Sequence, residues 1–391
     1  MKIKVGVIFG GISVEHEVSI ISGTQAISYF DDSKYEIVPI YISKEGFWYT
    51  SPLLKKIENY KDLKGLKSKC LEVNLIRKGN QFILQSKGIF KKKIETVDIV
   101  FPIMHGTNGE DGGLQGYLNT LGIPYAECDY FASVVGQDKV FMKQIWKDND
   151  VPVVKYEWFY DIDYKKDSES ILDRLEKLKY PMIVKPARLG SSIGIKIAKD
   201  RDELNDAILE AINYDNKILI EEVVKNLTEV NISVLGDYRK QELSVIEEVG
   251  GDTDILTFED KYIGGGKSKK TPSQKGMVNT KRIIPANIEK ELKEKVEDIA
   301  VKAFRSLNSS GVVRIDFLID SKNKKVYANE INSIPGSLSF YLWEKTNKSY
   351  KELLSDVLNI AVHNHKLKES KTYAFDSNIL KDFNGTKGIK K

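Results

Sequence analysis

At 391 residues the chain exceeds what one hydrophobic core organises, so two or three domains are expected. Its 41% hydrophobic and 30% charged residues are those of a soluble globular protein, and Lys+Arg 60 against Asp+Glu 56 leaves only +4. That balance implies no dominant nucleic-acid or acidic-membrane surface, so any basic function must be local.

Cys70 and Cys128 lie far apart without CxxC or Cys/His metal spacing, which argues for a reducing compartment and against a disulfide scaffold. The N-terminal apolar run ends in glycines and acids rather than a small-residue cleavage site, and nothing approaches the roughly 18 apolar residues of a membrane span. A cytoplasmic protein is expected.

In chain order, Ile3 to Phe9 is an apolar run broken at Gly10 and Gly11, a periodic segment follows from about Glu17 to Phe30, and EIVPIYI is a second apolar run. Strand, helix, strand predicts a parallel sheet, continued by ETVDIVFPIM near residues 95–104. QDKVFMKQIWKDNDVP reads as a helix, YPMIVKPARLGSSIGIKIAKD as two strands around a glycine/serine loop, and KILIEEVV as the exit strand of a small mixed domain. EVNISVLG and ELSVIEEV are further strands. In NIEKELKEKVEDIAVKAFRSLN, Leu292, Val296, Ile299, Ala300, Ala303, Phe304 and Leu307 share one helical face and should pack on the last sheet. From His365 on, the chain is polar and basic and is expected to be partly loose.

GVVRIDFLID and KVYANEIN flank the turn-like SKNKK. A hairpin centred on Asn323 puts Asp316 opposite Glu330 and Arg314 opposite Asn332, all on one face, with Glu330 and Asn332 expected on the same face as Val326 and Ala328. Facing carboxylates repel, so the pair calls for a cation. Oxygen ligands without nearby His or Cys suit magnesium, whose remaining ligands come from water and substrate phosphates. The bland alternative is a solvated sheet edge screened by Lys324 and Lys325.

KPARLGSSIG, Lys185 to Gly194, offers backbone amides and a lysine to phosphate, although it is neither a Walker loop nor a Rossmann fingerprint. A tight hairpin turn is the other way to read it. From Lys261 to Arg282 the chain holds seven bases (Lys261, Lys267, Lys269, Lys270, Lys275, Lys281 and Arg282) and no acid. A long glycine-rich loop of that charge reads as a lid over polyphosphate, or as a mobile surface loop.

Together GGISVEHEVS, HGTNGEDGGLQG, QDK, KPARLGSSIG, EEVVKNLTEV, DKY, GVVRIDF and NEINSIPG, in this order, resemble the ATP-grasp superfamily and within it the D-alanine–D-alanine ligase family. The resemblance implies an α/β chain with α+β elements in the ATP-grasp fold. Its three domains would be an N-terminal parallel-sheet substrate domain over residues 1–126, a central subdomain over 127–221, and a C-terminal subdomain over 222–365 with the lid at 259–282, followed by a basic tail over 366–391. The implied activity joins two D-alanines through an acyl phosphate, releasing ADP and phosphate, for peptidoglycan precursor synthesis. Asp316, Glu330 and Asn332 would bind two Mg2+ ions, with Mn2+ a possible substitute. Lys139, Lys185 and Ser192 would hold ATP phosphates, with Lys261 above them in the lid. Glu221 or Glu222 would meet adenine and Glu229 the ribose. Arg314 and the Gly336 amide would stabilise the oxyanion, and Glu17, Ser191 and Tyr262 would orient the first substrate and tie the lid shut. His105 would lie beside the substrates. The partners are then ATP and D-alanine, with no nucleic acid or membrane, and a homodimer is expected.

One departure stands out. Where the family carries a serine and an aliphatic residue for the second substrate's carboxylate, this chain has Tyr341 and Leu342, which opens the acceptor to D-serine, D-lactate or another amino acid. Tyr262 in the lid, rather than histidine, favours an amine acceptor. A non-catalytic ATP-binding regulator is the reading from a different class, and Arg314 beside the metal ligands speaks against it.

Overall fold

The computed structural model describes residues 2–250 and 281–374. Its first sheet has seven strands, with Ile3–Gly10 parallel to Tyr35–Ile42 on one side and to Ile99–Ile103 on the other. Val5, Val7, Ile8 and Phe9 are all buried, as expected where helices cover both faces of a parallel strand. The expected parallel sheet is in fact mixed. Trp48–Thr50, Leu71–Lys78, Gln81–Ser86 and Lys93–Val97 extend it as an antiparallel meander. Leu71–Lys78 buries one face only: Val73 and Leu75 are inside while Asn74 between them is exposed, a weaker signal than a continuous apolar run. Gly10 turns the chain from the first strand towards the helix His16–Tyr29; its φ of +92° and the nearby Ile42 carbonyl leave no room for a side chain.

A second, antiparallel sheet orders Lys196–Ala198, Met182–Pro186, Lys217–Glu222 and Tyr156–Tyr160, with the helices Ser168–Leu175 and Arg201–Ala211 covering one face. The third sheet runs Lys281–Ile283, Gln241–Gly250, Leu227–Gly236, Gly311–Asp320 and Lys325–Asn332, again antiparallel. The helix Lys290–Ser306 lays the predicted apolar stripe from Leu292 to Phe304 on it, and Leu307 joins the same core.

The hairpin pairs Arg314 with Asn332 and Asp316 with Glu330, as its sequence predicts, but the geometry behind that pairing differs. Next to the turn, Asp320 pairs with Lys325 and Phe317 with Ala328; Asn329 is then an extra residue, a β-bulge, before Glu330 meets Asp316. Each step along a strand changes face, so the bulge separates two sets expected to share one. Val326 and Ala328 point into the core with Phe317 and Ile319, whereas Glu330 and Asn332 point with Asp316 and Arg314 into a cavity.

The last helix, Tyr350–Glu369, starts from a Ser349/Glu352 capping box and continues past His365, so the boundary expected at 365 falls inside it. Its Leu353, Leu354, Val357 and Leu358 pack in one core with Val5, Val7 and Phe9, joining the end of the chain to its beginning. The tail from residue 375 lies outside the described residues.

Deleting Asn329 would keep Glu330 opposite Asp316 but remove the carbonyl and side-chain oxygen that accept from the buried Lys143 and Lys185. A loss of about 1–3 kcal/mol is expected for leaving those donors unsatisfied, and urea denaturation of the deletion variant measures it.

Candidate functional site

The cavity lies between the second and third sheets and is closed at one end by loops of the first. One wall starts at Asp138, which caps the helix Lys139–Asp148 by accepting the Val140 and Phe141 amides. The Asp138 carboxylate also receives the buried Lys217 ammonium at 2.8 and 3.0 Å, and that ammonium sits 3.6 Å from the centre of the Phe141 ring. With the helix start fixed in this way, Lys139 reaches the cavity, donates to the Leu189 carbonyl at 2.8 Å and lies 3.8 Å from Glu330 Oε2.

One helical turn on, Lys143 lies 2.7 Å from Glu221 Oε1, and Lys185 from the second sheet lies 2.6 Å from Oε2. Burial opposes ionisation of Glu221, but the two ammonium groups outweigh it and hold its carboxyl down at about 2. Both lysines also donate to Asn329: Lys143 to its carbonyl at 3.1 Å, Lys185 to its side-chain oxygen at 3.3 Å. Glu221 and Glu222 are placed differently. Both border the cavity, but the Glu221 carboxylate is buried among its lysines, whereas Glu222 accepts the Lys179 amide at 3.3 Å and lies 4.0 Å from Lys155.

On the opposite wall Arg314 grips Asp316 through two parallel bonds, Nε to Oδ1 at 2.7 Å and Nη2 to Oδ2 at 2.8 Å, and Asn332 donates to the same carboxylate at 3.4 Å. Burial works against the guanidinium charge; Asp316 more than offsets it and holds Arg314 well above the ordinary arginine range. Asp316, Glu330 and Asn332 supply only oxygen ligands on one face, and no third carboxylate, His or Cys joins them among the described residues. Two carboxylates and an amide oxygen fit a hard divalent ion that takes further ligands from phosphate and water.

The glycine/serine loop puts Ser191 and Ser192 at φ of +57° and +58°, beside the cavity. Ser191 Oγ donates to Glu15. The expectation for Glu17 is therefore corrected: Glu17 lies on the outer side of its helix, 2.5 Å from Lys44, and Glu15 lines the cavity. Helical spacing carried the signal, because His16, Ser19, Ile20 and Gly23 form the buried face and Glu17 falls outside it.

His105 is buried at the closed end, with Nδ1 2.9 Å from the Ile334 carbonyl and Nε2 2.9 Å from Ser22 Oγ. Burial lowers its pKa and keeps the ring neutral, despite the Glu15 charge. Glu110, which the sequence left unassigned, accepts the Gly106 amide at 2.8 Å and the Ile334 amide at 3.1 Å. Burial, with the Glu15 charge adding to it, pushes its carboxyl up to about 8. Glu229 and Gly336 also border the cavity.

Two expected substrate residues sit elsewhere. Leu342 is fully buried in the short helix Phe340–Glu344, and the Tyr341 hydroxyl donates to Glu247 at 3.2 Å with the Arg282 guanidinium 5.1 Å from its ring centre. Arg282, unassigned in the sequence, does line the cavity. Lys261 and Tyr262 lie outside the described residues, as does the lid up to residue 280.

Two family models match this chain, the D-ala D-ala ligase N-terminus over residues 4–128 and the D-ala D-ala ligase C-terminus over residues 145–359. It is 40% identical over 380 residues to a D-alanine–D-alanine ligase of Thermosipho melanesiensis, covering 97% of this chain and 98% of that one. To the corresponding ligase of Geobacillus thermodenitrificans it is 35% identical over 381 residues, covering 96% and 100%. Among solved structures it resembles the D-alanine–D-alanine ligase of Coxiella burnetii, with a TM-score of 0.77, 26% identity and coverage of 94% and 96%. It is as similar to the VanG D-Ala:D-Ser ligase of Enterococcus faecalis, with a TM-score of 0.77, 27% identity and coverage of 92% and 100%.

The two N-terminal glutamates separate cleanly by substitution. Glu17→Gln removes one exposed ion pair and is expected to leave nucleotide turnover within about twofold. Glu15→Gln should lower it by about tenfold or more, since it neutralises the cavity carboxylate that Ser191 engages. Parallel ADP-release assays on the two variants check the order.

Proposed function

The chain belongs to the D-alanine–D-alanine ligase family, and on that premise we propose how its cavity carries out the ligation. It is an ATP-dependent, ADP-forming ligase that joins two D-alanines, a step in making peptidoglycan precursors. The observation that carries the assignment of roles is the meeting of Arg314, Asp316, Glu330 and Asn332 on one hairpin face, across from Lys139 and Lys185.

A carboxylate does not condense with an amine unaided, so the first D-alanine must be activated. Its carboxylate oxygen attacks the γ-phosphorus of ATP, the bond to the β–γ bridging oxygen breaks, and ADP departs from an acyl phosphate. Lys139 and Lys185 bind the phosphates as fixed point charges, and Ser192 offers the glycine/serine loop to them. Asp316, Glu330 and Asn332 would hold two Mg2+ ions. Such ions, when bound, draw charge from the transferring phosphoryl oxygens.

Glu221 and Glu229 mark the segment that takes adenine and ribose. Glu15 and Ser191 orient the first D-alanine through its ammonium, with Lys261 and Tyr262 assigned to the lid above it. The second D-alanine's amine, once deprotonated, attacks the acyl carbon. Arg314 and the Gly336 amide face the oxyanion that forms, and phosphate leaves as the carbonyl is restored. A homodimer in the cytoplasm completes the proposal; among the described residues no helix is long and apolar enough to cross a membrane.

A second reading keeps this chemistry and changes the acceptor. Tyr341 favours it, since where the family carries a serine this chain has a phenol committed to Glu247 and packed against Arg282, which lines the cavity, and the equal likeness to a D-Ala:D-Ser ligase leaves the backbone neutral on the point.

ADP release should require D-alanine, vanish with EDTA and return with Mg2+ or Mn2+. Glu330→Gln should cost about a hundredfold or more in kcat, the scale of losing a preorganised charge-stabilising group. No ADP release with D-alanine as sole amino acid overturns the D-alanyl-D-alanine assignment. Tyr341→Ser should change the ranking of D-alanine, D-serine and D-lactate as acceptors while KM for ATP stays within about twofold; an unchanged ranking would mean that Tyr341 does not select the acceptor.

A further inference from the structure

The turn that carries Gly336 is not shaped by its own sequence. Ser337, Leu338 and Ser339 stand consecutively at φ of +49°, +54° and +50°, a conformation that residues with a Cβ avoid. The contacts that impose it come from the first 110 residues of the chain. Glu110 Oε1 accepts the Ile334 amide at 3.1 Å, and His105 Nδ1 meets the Ile334 carbonyl at 2.9 Å. Ser22 Oγ accepts the Ser337 amide at 3.0 Å and meets His105 Nε2 at 2.9 Å.

The donors run in one direction only. The Ile334 carbonyl can only accept, so His105 Nδ1 carries the ring proton; on the neutral ring Nε2 is then an acceptor and takes the Ser22 hydroxyl proton, while Ser22 Oγ still accepts the Ser337 amide. Both ring nitrogens are then used, and both main-chain groups of Ile334 are held. Ile334 and Leu338 are buried among Val5, Val7 and Phe9, which fixes the turn from below, while Gly336 borders open space.

Building on the ligase assignment, we propose that Ser22, His105 and Glu110 are positioning residues that hold the Ile334–Ser337 backbone so that the Gly336 amide faces the developing oxyanion. His105 acts through the backbone it holds and carries no proton between substrates.

Steady-state ADP release in Ser22→Ala, His105→Asn and the double variant tests this, with thermal melting to confirm folding. Each single change is expected to lower kcat about ten- to a hundredfold, approaching the loss of an oxyanion donor, with KM for ATP within about twofold. The double variant should be no worse than about twofold below the poorer single, because the two residues form one chain of bonds. The pH dependence of kcat should keep its wild-type shape. Wild-type kcat in Ser22→Ala, or losses that multiply, would overturn the proposal. So would a limb of the pH profile lost in His105→Asn and kept in Ser22→Ala, since that marks a proton carrier. If Ser22→Ala does not fold, the pH profile of His105→Asn decides alone. Absence of D-alanine-dependent ADP release in the unaltered enzyme would instead remove the ligase reading, and the role of the clamp with it.

Discussion

Everything at the phosphate end of the cavity depends on one extra residue in a strand. The bulge at Asn329 turns Glu330 and Asn332 out of the core and into register with Asp316 and Arg314. The same residue then presents its carbonyl to Lys143 and its side-chain oxygen to Lys185. A regular strand could do neither: its alternation would send Glu330 to the face of Val326 and Ala328, and its carbonyl at this position would be paired within the ladder. The bulge thus gives up a local pairing and couples the third sheet to the two lysines that meet Glu221.

Those lysines are deeply buried, and charges taken out of water cost several kcal/mol each unless paired with good geometry. Glu221 resolves most of that cost by facing both, and its depressed pKa means it stays ionised throughout the neutral range. Arg314 and Asp316 solve the same problem across the cavity through a bidentate pair. A site built to receive polyphosphate must hold cations in place before the phosphate arrives, and neighbouring carboxylates keep them ordered in the meantime. Lys143 belongs to this arrangement although it need not touch a substrate. It keeps Glu221 compensated if Lys185 shifts towards a phosphate.

Much of this was readable from residue order, and what was not has identifiable causes. The facing pairs Asp316–Glu330 and Arg314–Asn332, the apolar stripe of the Lys290–Ser306 helix and the strand–helix–strand opening follow from period and turn residues alone. The bulge has no such signature: an inserted asparagine looks like any strand residue, so the pairs and their shared face follow from the sequence while Val326 and Ala328 are wrongly expected on that face. Glu15 and Glu17 flank His16 in one motif, Glu15 at the N-cap of the helix and Glu17 on its outer side, and the spacing of His16, Ser19, Ile20 and Gly23 would have put Glu17 outside the buried face. Lys143, Glu110 and Ser22 needed the tertiary structure, because each acts on a segment nearly 80 to more than 300 positions away.

The two ends of the cavity carry opposite electrostatic characters, and the chemistry needs both. Lys139, Lys185 and Arg314 concentrate positive charge along one end of the cavity, the end proposed to take phosphate. At the closed end burial keeps His105 neutral and pushes Glu110 up to about 8, and the Glu15 carboxyl there accepts the Ser191 hydroxyl. In the ligase role proposed above, an amino-acid ammonium would enter beside Glu15 and Ser191, with its carboxylate towards Arg314 and the lysines. The orientation of a small, nearly featureless substrate is therefore set by the direction of charge across the cavity, with its methyl group left to whatever space the walls provide.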